Sequence, residues 1–307
     1  MYICDKEKQQ IYIANIEKLK GYNRAFRKKR QRLRLLDWRQ HLRKKNLLSS
    51  LLRRLKSFKF NMFKTSTLMP FPVANYFSEH RIAVYTCIIG AYDKLIQPKL
   101  KPNNIDYYVI TDQPHSPESM WRFLDVSHIK SKLSSLSAVE QNRWYKTHPH
   151  LLFQDYDYSV YLDGNITPVS DFTELINRIG PCAIATHRHY CRNCVYEESE
   201  AILRSNKDTV ERVRQHVRFL QEQGMPKNYG LADCSVIARK HHDIACIGLM
   251  EQWWEEFLRN SRRDQLSFPY VLFKNGMSVY DVTTLGSNRV INDALDVTMH
   301  IQATRGM

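Results

Sequence analysis

Ser159-Val160-Tyr161-Leu162-Asp163-Gly164-Asn165-Ile166 is a short apolar run that stops at an acid, turns on a glycine and resumes. Val, Tyr and Leu ahead of a charged turn make the pattern of a strand buried on both faces, as strands in parallel sheets are. Three other stretches have the same form: Arg81 to Gly90, Asp106-Tyr-Tyr-Val-Ile-Thr-Asp112, and Cys182-Ala-Ile-Ala-Thr186. Helical patterns lie between and after them, over Ser134 to Tyr145, Asp171 to Arg178, Glu197 to Gln223 and Ile247 to Arg259. Strands alternating with helices predict an α/β domain with a mostly parallel central sheet.

This domain is expected over residues 78–307, after a linker at 65–77 that contains Pro70 and Pro72. Residues 1–64 read as a basic, mostly helical arm. Between Lys18 and Lys64 stand 18 Lys or Arg and one acid, Asp37. The formal charge of +15 therefore belongs to this segment, and the rest of the chain is near neutral. Leu47, Leu48, Leu51, Leu52, Leu55 and Phe58 fall at helical spacing, with Arg53, Arg54, Lys56 and Lys59 mostly off that face. Such a helix suits an anionic membrane surface, reached through residues 18–64, and equally suits packing on protein. Nucleic acid is not the expected partner, because the arm lacks aromatic interleaving and any known motif.

The seven cysteines are scattered, which fits a reducing compartment better than a disulfide framework. The N-terminus has no signal-peptide pattern, and no run of about 18 apolar residues could span a bilayer. A cytoplasmic protein, peripheral at most on an inner membrane, is the expectation.

Ligands of open α/β sheets bind beyond the carboxyl ends of the strands. Those ends are Gly90-Ala-Tyr-Asp93, Thr111-Asp112, Asp163-Gly-Asn165 and His187-Arg188. Neither a Gly-x-Gly-x-x-Gly fingerprint nor a phosphate-binding Gly-x-x-x-x-Gly-Lys loop occurs, so dinucleotide and P-loop sites are not supported. Asp163 and Asn165, two residues apart, can offer oxygens to one Mg²⁺ or Mn²⁺ while leaving positions open for a diphosphate. The same dipeptides also make a plain turn.

Taken together, the ordered motifs resemble the glycosyltransferase-like family once catalogued only as a domain of unknown function. That family occurs in bacterial surface-polysaccharide proteins and in plant proteins linked to seed mucilage. The matching stretches are Ile89–Asp93, Tyr108–Asp112, Arg143–His150, Tyr161–Ile166, Tyr196–Glu198, Gly230–Ile237, Trp253-Trp254 and Arg262–Phe268. They span about Arg81 to Gly276, and the basic arm lies outside them.

The resemblance implies a GT-A-like, nucleotide-sugar-binding fold. It implies transfer of a sugar from a nucleotide-sugar donor to a carbohydrate or lipid-linked acceptor. Surface polysaccharide or lipopolysaccharide synthesis is the implied setting. Asp112, with Asp93 and Thr111, would approach the nucleoside. Arg143 and Lys146, one helical turn apart, would face a diphosphate. Asp163 and Asn165 would stand where such enzymes carry two metal-binding acids, with His300 as a late third ligand. Asn in place of an acid leaves metal dependence open. Glu198 and Asp264 are the catalytic candidates, and Gln265 would join the donor site. Asp264 could equally be the N-cap of the helix that follows.

His187-Arg-His-Tyr-Cys191-Arg-Asn-Cys194 has the residue types of a zinc site but packs them too closely to close a tetrahedron. A substrate loop carrying His187 and Arg188 toward the donor is the better expectation. Two rivals remain: a non-catalytic binding module with a degenerate glycosyltransferase fold, and a nucleotidyltransferase of related fold.

Overall fold

The computed structural model describes residues 80–298, apart from 91, 115, 170, 171, 287, 290, 291 and 293. The arm at 1–64, the linker at 65–77 and His300 lie outside the described residues.

Six strands form the main sheet: β1 (Ile82–Ile88), β2 (Ile105–Thr111), β3 (Trp121–Phe123), β4 (Tyr158–Leu162), β6 (Ile184–Arg188) and β7 (Ala232–Arg239). Their order is β3-β2-β1-β4-β7-β6. The pairs β3–β2, β2–β1 and β1–β4 are parallel, and β7 runs antiparallel between β4 and β6. The sheet is mostly parallel, as its apolar runs predict. Both of its faces are covered. In β1, Ala83, Tyr85 and Cys87 enter one apolar cluster while Ile82 and Val84 enter another. Side chains alternate across a strand, so burial on both faces requires an unbroken apolar run. A small antiparallel pair, β5 (Ile166–Pro168) with β8 (Leu295–Val297), stands beside it.

Eight helices accompany the strands among the described residues: α1 (Ser127–Lys130), α2 (Ala138–Thr147), α3 (Pro149–Leu152), α4 (Thr173–Ile176), α5 (Val195–Arg204), α6 (Val210–Glu222), α7 (Ile244–Arg259) and α8 (Asp264–Lys274). Helix α2 begins with a reciprocal capping box, Ser137 with Glu140. It accepts the two first-turn donors that would otherwise be orphaned.

The fold differs from the sequence pattern in several elements. Glu197 to Gln223 was expected as one helix and is two, α5 and α6. Asn206 takes a left-handed φ of 49° at the break. Asp208 then holds the turn by accepting the Ser261 hydroxyl at 2.7 Å and the Arg262 amide at 2.8 Å. Strand β7 was not read as a strand, because Asp233, Ser235 and Arg239 interrupt its apolar residues. All three are buried. Arg239 reaches partners inside the core, the Tyr85 hydroxyl at 2.7 Å and the Lys146 carbonyl at 2.6 Å.

No described helix is long and apolar enough to cross a membrane.

Candidate functional site

The loop after β4 carries Asp163, whose amide donates to the Ser235 carbonyl at 2.8 Å. That carbonyl belongs to a bulge. Thr186 pairs with Ile237 but the next residue, His187, pairs with Asp233, so residues 234–236 are extra on β7. The Thr186 hydroxyl fixes the bulge by donating to the Asp233 and Val236 carbonyls, both at 2.7 Å. Bulges of this kind re-aim side chains at the ends of strands.

Gly164 follows, and a larger residue there must push its neighbours aside. A Cβ there would lie 3.0 Å from Asp93 Oδ2 and 3.0 Å from Ile88 Cγ1. The loop after β1 therefore packs directly on the loop after β4. Asp112, at the end of β2, joins the same edge through the Gly90 amide, which donates to its Oδ2 at 2.9 Å. Partial burial alone would raise the Asp112 pKa. The hydrogen bonds from Gln113 and Gly90 outweigh it and hold the carboxylate below its usual range. Thr111 accepts the Gln113 amide through its hydroxyl at 3.1 Å. Asp93, Asp112 and Asp163 thus come from three loops at one edge of the sheet.

Two cations meet this edge from α2, and an acid meets it from α8. Lys146 is fully buried, yet its ammonium lies 2.8 Å from Asp264 Oδ2 and 3.6 Å from Asp163 Oδ1. It also rests over the Tyr161 and Trp253 rings, at 4.9 and 5.7 Å from their centroids. Arg143 donates through Nε to Asp264 Oδ1 at 3.0 Å. Burial by itself would raise the Asp264 pKa, but Arg143 and then Lys146 bring it down to about 2. Arg143 is shifted the other way: burial disfavours its charge, and Asp264 restores it and more.

Asp264 is the first residue of α8 and not its N-cap, which is Arg263. Both carboxylate oxygens are committed to cations, so Asp264 is a weak proton acceptor as it stands. Gln265 is half-buried in the same first turn.

Asn165 is buried, and its amide nitrogen donates to the Thr298 carbonyl at 2.6 Å. This contact ties the turn to the end of β8. Its remaining donor atom for a cation is the amide oxygen.

His187 and Arg188 differ from expectation. They are the last two residues of β6 and not part of a loop, because the bulge on β7 lets the ladder continue past Thr186. His187 is fully buried, and burial lowers its pKa to about 4. Its Nε2 meets the Asn292 amide at 3.0 Å. Arg188 is buried 5.8 Å from the Tyr280 ring centroid. Glu198 lies in the first turn of α5, buried, pairs with Arg192 and has His189 Nε2 3.8 Å away. Among the described residues no group of three or more His, Cys, Asp and Glu could hold a metal ion.

Two residues passed over in the sequence belong to this region. Arg263 acts electrostatically on Arg143, Asp264, Glu198 and Asp163 together, and its buried Nε has no hydrogen-bond partner among the described residues. Asp233 is buried on β7 and pairs with Arg289. The run Arg262-Arg-Asp-Gln265 signalled charge in the right place, but only the helix start decides which residue turns inward.

Acids from the strand ends and cations from a facing helix thus gather at the edge where open α/β sheets bind ligands. The family model described as "TOD1/MUCI70, glycosyltransferase-like domain" matches residues 58–284, well over half of the chain. The chain belongs to this family. Among solved structures, it is similar to the apo form of WbbM, a bifunctional glycosyltransferase, with 13% identity and a TM-score of 0.42. That match covers 71% of this chain, which spans 40% of WbbM. Mouse xyloside xylosyltransferase 1 in its apo form matches with 13% identity and a TM-score of 0.38, over 64% of this chain and 82% of that one. The galactosyltransferase LgtC, in complex with donor and acceptor sugar analogues, matches with 14% identity and a TM-score of 0.37, over 64% and 72%. A comparison with curated proteins found no match.

Proposed function

We propose that the chain is an active glycosyltransferase that moves a sugar from a nucleotide-sugar donor to a carbohydrate or lipid-linked acceptor. The observation that carries this reading is the buried Lys146 ammonium, which contacts both Asp163 and Asp264 at the strand-end edge. A lysine held dry between two carboxylates, with Arg143 beside it, is preorganised for the charge that develops on a leaving nucleoside diphosphate. Asp264 keeps both cations in place and is read here as a positioning residue. Asp112 and Asp93 border the same edge and suit the hydroxyls of a ribose.

Asp163 and Asn165 offer a carboxylate and an amide oxygen, a hard donor set that fits Mg²⁺ or Mn²⁺. When bound, such a cation supplies further neutralisation of the diphosphate. Asp163 would hold it while Lys146 shares the same carboxylate. Surface polysaccharide or lipopolysaccharide synthesis is the proposed setting, with residues 18–64 on the anionic face of an inner membrane.

The test is release of nucleoside diphosphate from a panel of nucleotide-sugars, with and without Mn²⁺ and with anionic vesicles. Asp163→Ala and Lys146→Met are each expected to lower turnover about 100-fold or more. Vesicles are expected to raise turnover with the whole chain and not with residues 65–307. Full turnover by Asp163→Ala would end the site assignment. Release of pyrophosphate instead would make the chain a nucleotidyltransferase. Asn165 in place of a second acid favours a second reading, a non-catalytic membrane- or partner-binding protein with a degenerate glycosyltransferase fold. In that case no nucleotide-sugar would shift the melting temperature.

A further inference from the structure

Beside the strand-end site lies a second group of charges that the proposed donor chemistry does not use. Arg192 and Arg289 each pair with a carboxylate, Glu198 and Asp233 respectively. The carboxylates lie beneath, with side chains 8% and 4% exposed, while the arginines are 24% and 23% exposed. The acids are therefore covered, and the surface offers guanidinium donors. Lys207 is exposed and has Arg263, Glu198, Arg192 and Arg289 as its electrostatic neighbours. Around Glu198 and Asp233 the cations are Arg192, Arg289 and Lys207, and Lys207 has no salt bridge among the described residues. His189 does not change the balance, since burial keeps it neutral.

An aromatic ring completes the group. Tyr190 is 45% exposed. Its ring lies stacked on His189, with centroids 5.4 Å apart and planes inclined by 29°. His189 is itself held by the Arg192 amide, which donates to Nδ1 at 3.1 Å. Arg192 and Arg289 both act electrostatically on the Tyr190 phenol. A backed ring with an open side, flanked by cations in excess, matches a ligand with an apolar face and a negative charge.

We propose that Tyr190, Arg192, Arg289 and Lys207 form an acceptor subsite for an acidic sugar, one whose ring carries a carboxylate. The sugar ring lies on Tyr190, and its carboxylate takes the guanidinium and ammonium donors. Arg263 is an electrostatic neighbour of Glu198 in this subsite and of Asp163 and Asp264 in the strand-end group. The acceptor would therefore sit next to the donor diphosphate. This inference rests on the glycosyltransferase reading for the word acceptor, but its binding test does not.

The test titrates the full chain with a hexuronate disaccharide, its carboxyl-reduced neutral counterpart and inorganic phosphate, by calorimetry. The acidic disaccharide is expected to bind at least about tenfold more tightly than the neutral one, the range of a charged hydrogen bond. Lys207→Gln and Tyr190→Ala, both at exposed positions, are each expected to weaken it severalfold. Lys101→Gln, at an exposed lysine outside this group, is expected to leave it unchanged. Equal binding of acidic and neutral disaccharides overturns the proposal. So does phosphate binding as tightly as the acidic disaccharide, because the ring would then contribute nothing. Competition by a nucleoside diphosphate alone would reassign these cations to the donor. Acidic-disaccharide binding without any donor turnover would sink the transferase reading and leave this subsite standing.

Discussion

At the scale of single residues, Asp264 shows how a buried charge can be stable without being reactive. An isolated buried carboxylate would take up a proton. Here Arg143 and Lys146 reverse that tendency and hold the pKa near 2. A depressed carboxylate stabilises the fold above its unfolded pKa of about 3.9, and this contribution fades as pH falls through about 2. Asp264→Asn keeps the shape and removes the charge, leaving Lys146 buried against a neutral amide. We expect a loss of about 2 kcal/mol at pH 7. Measured by urea denaturation, the gap between variant and wild type should close between pH 4 and pH 2. A gap that stays constant across that range would mean that the ion pairs contribute nothing. The sequence supplied Asp264 as a candidate, yet it left capping and catalysis open. The deciding fact, two cations arriving from α2, belongs to no local pattern.

The element that shapes the site is the turn after β4, and its limits come from neighbours in space. Gly164 could be read as ordinary turn chemistry. In the fold it faces Asp93 and Ile88 so closely that an added Cβ would lie 3.0 Å from each. Gly164→Ala should displace Asp93 or Asp163 by a few tenths of an ångström and destabilise the domain by about 1–3 kcal/mol. The same variant should lose nucleotide-sugar turnover more than its stability loss accounts for, which thermal denaturation beside a turnover assay will separate. Unchanged turnover would show that the turn tolerates movement. The legible elements were β1, β2, β4 and β6, whose apolar runs are continuous because both faces of the sheet are covered. Strand β7 was hidden by Asp233, Ser235 and Arg239. Asp233 holds Ser235 at 2.6 Å and pairs with Arg289, while Arg239 reaches Tyr85 and Lys146, and only such partners make a buried polar strand stable. The bulge on β7 likewise decided that His187 and Arg188 finish a strand instead of opening a loop.

Over the whole molecule, acid sensitivity is set by histidines kept neutral inside the fold. Burial lowers His187, His216 and His241 to about 4. Each is fully or almost fully buried. A histidine whose folded pKa lies below its unfolded value of about 6.5 stabilises the protein above that value, and the contribution is lost as pH falls toward 4. Stability should therefore drop from pH 6.5 downward by up to about 1.4 kcal/mol per pH unit for each of the three. Denaturant unfolding at pH 7, 6 and 5 will measure this, and His216→Leu should reduce the slope by up to about 1.4 kcal/mol per pH unit. A flat profile would mean that these rings are protonated in place. What the sequence determined alone was the alternation of strand and helix, where the positive charge lies along the chain, and the family. Each follows from neighbours along the chain: apolar period, local charge density, and ordered motifs. What only the tertiary structure decided was which charges meet. Lys146 and Asp264 are 118 residues apart yet touch at 2.8 Å. Coulomb attraction in a dry interior depends on that separation in space, which no local pattern encodes.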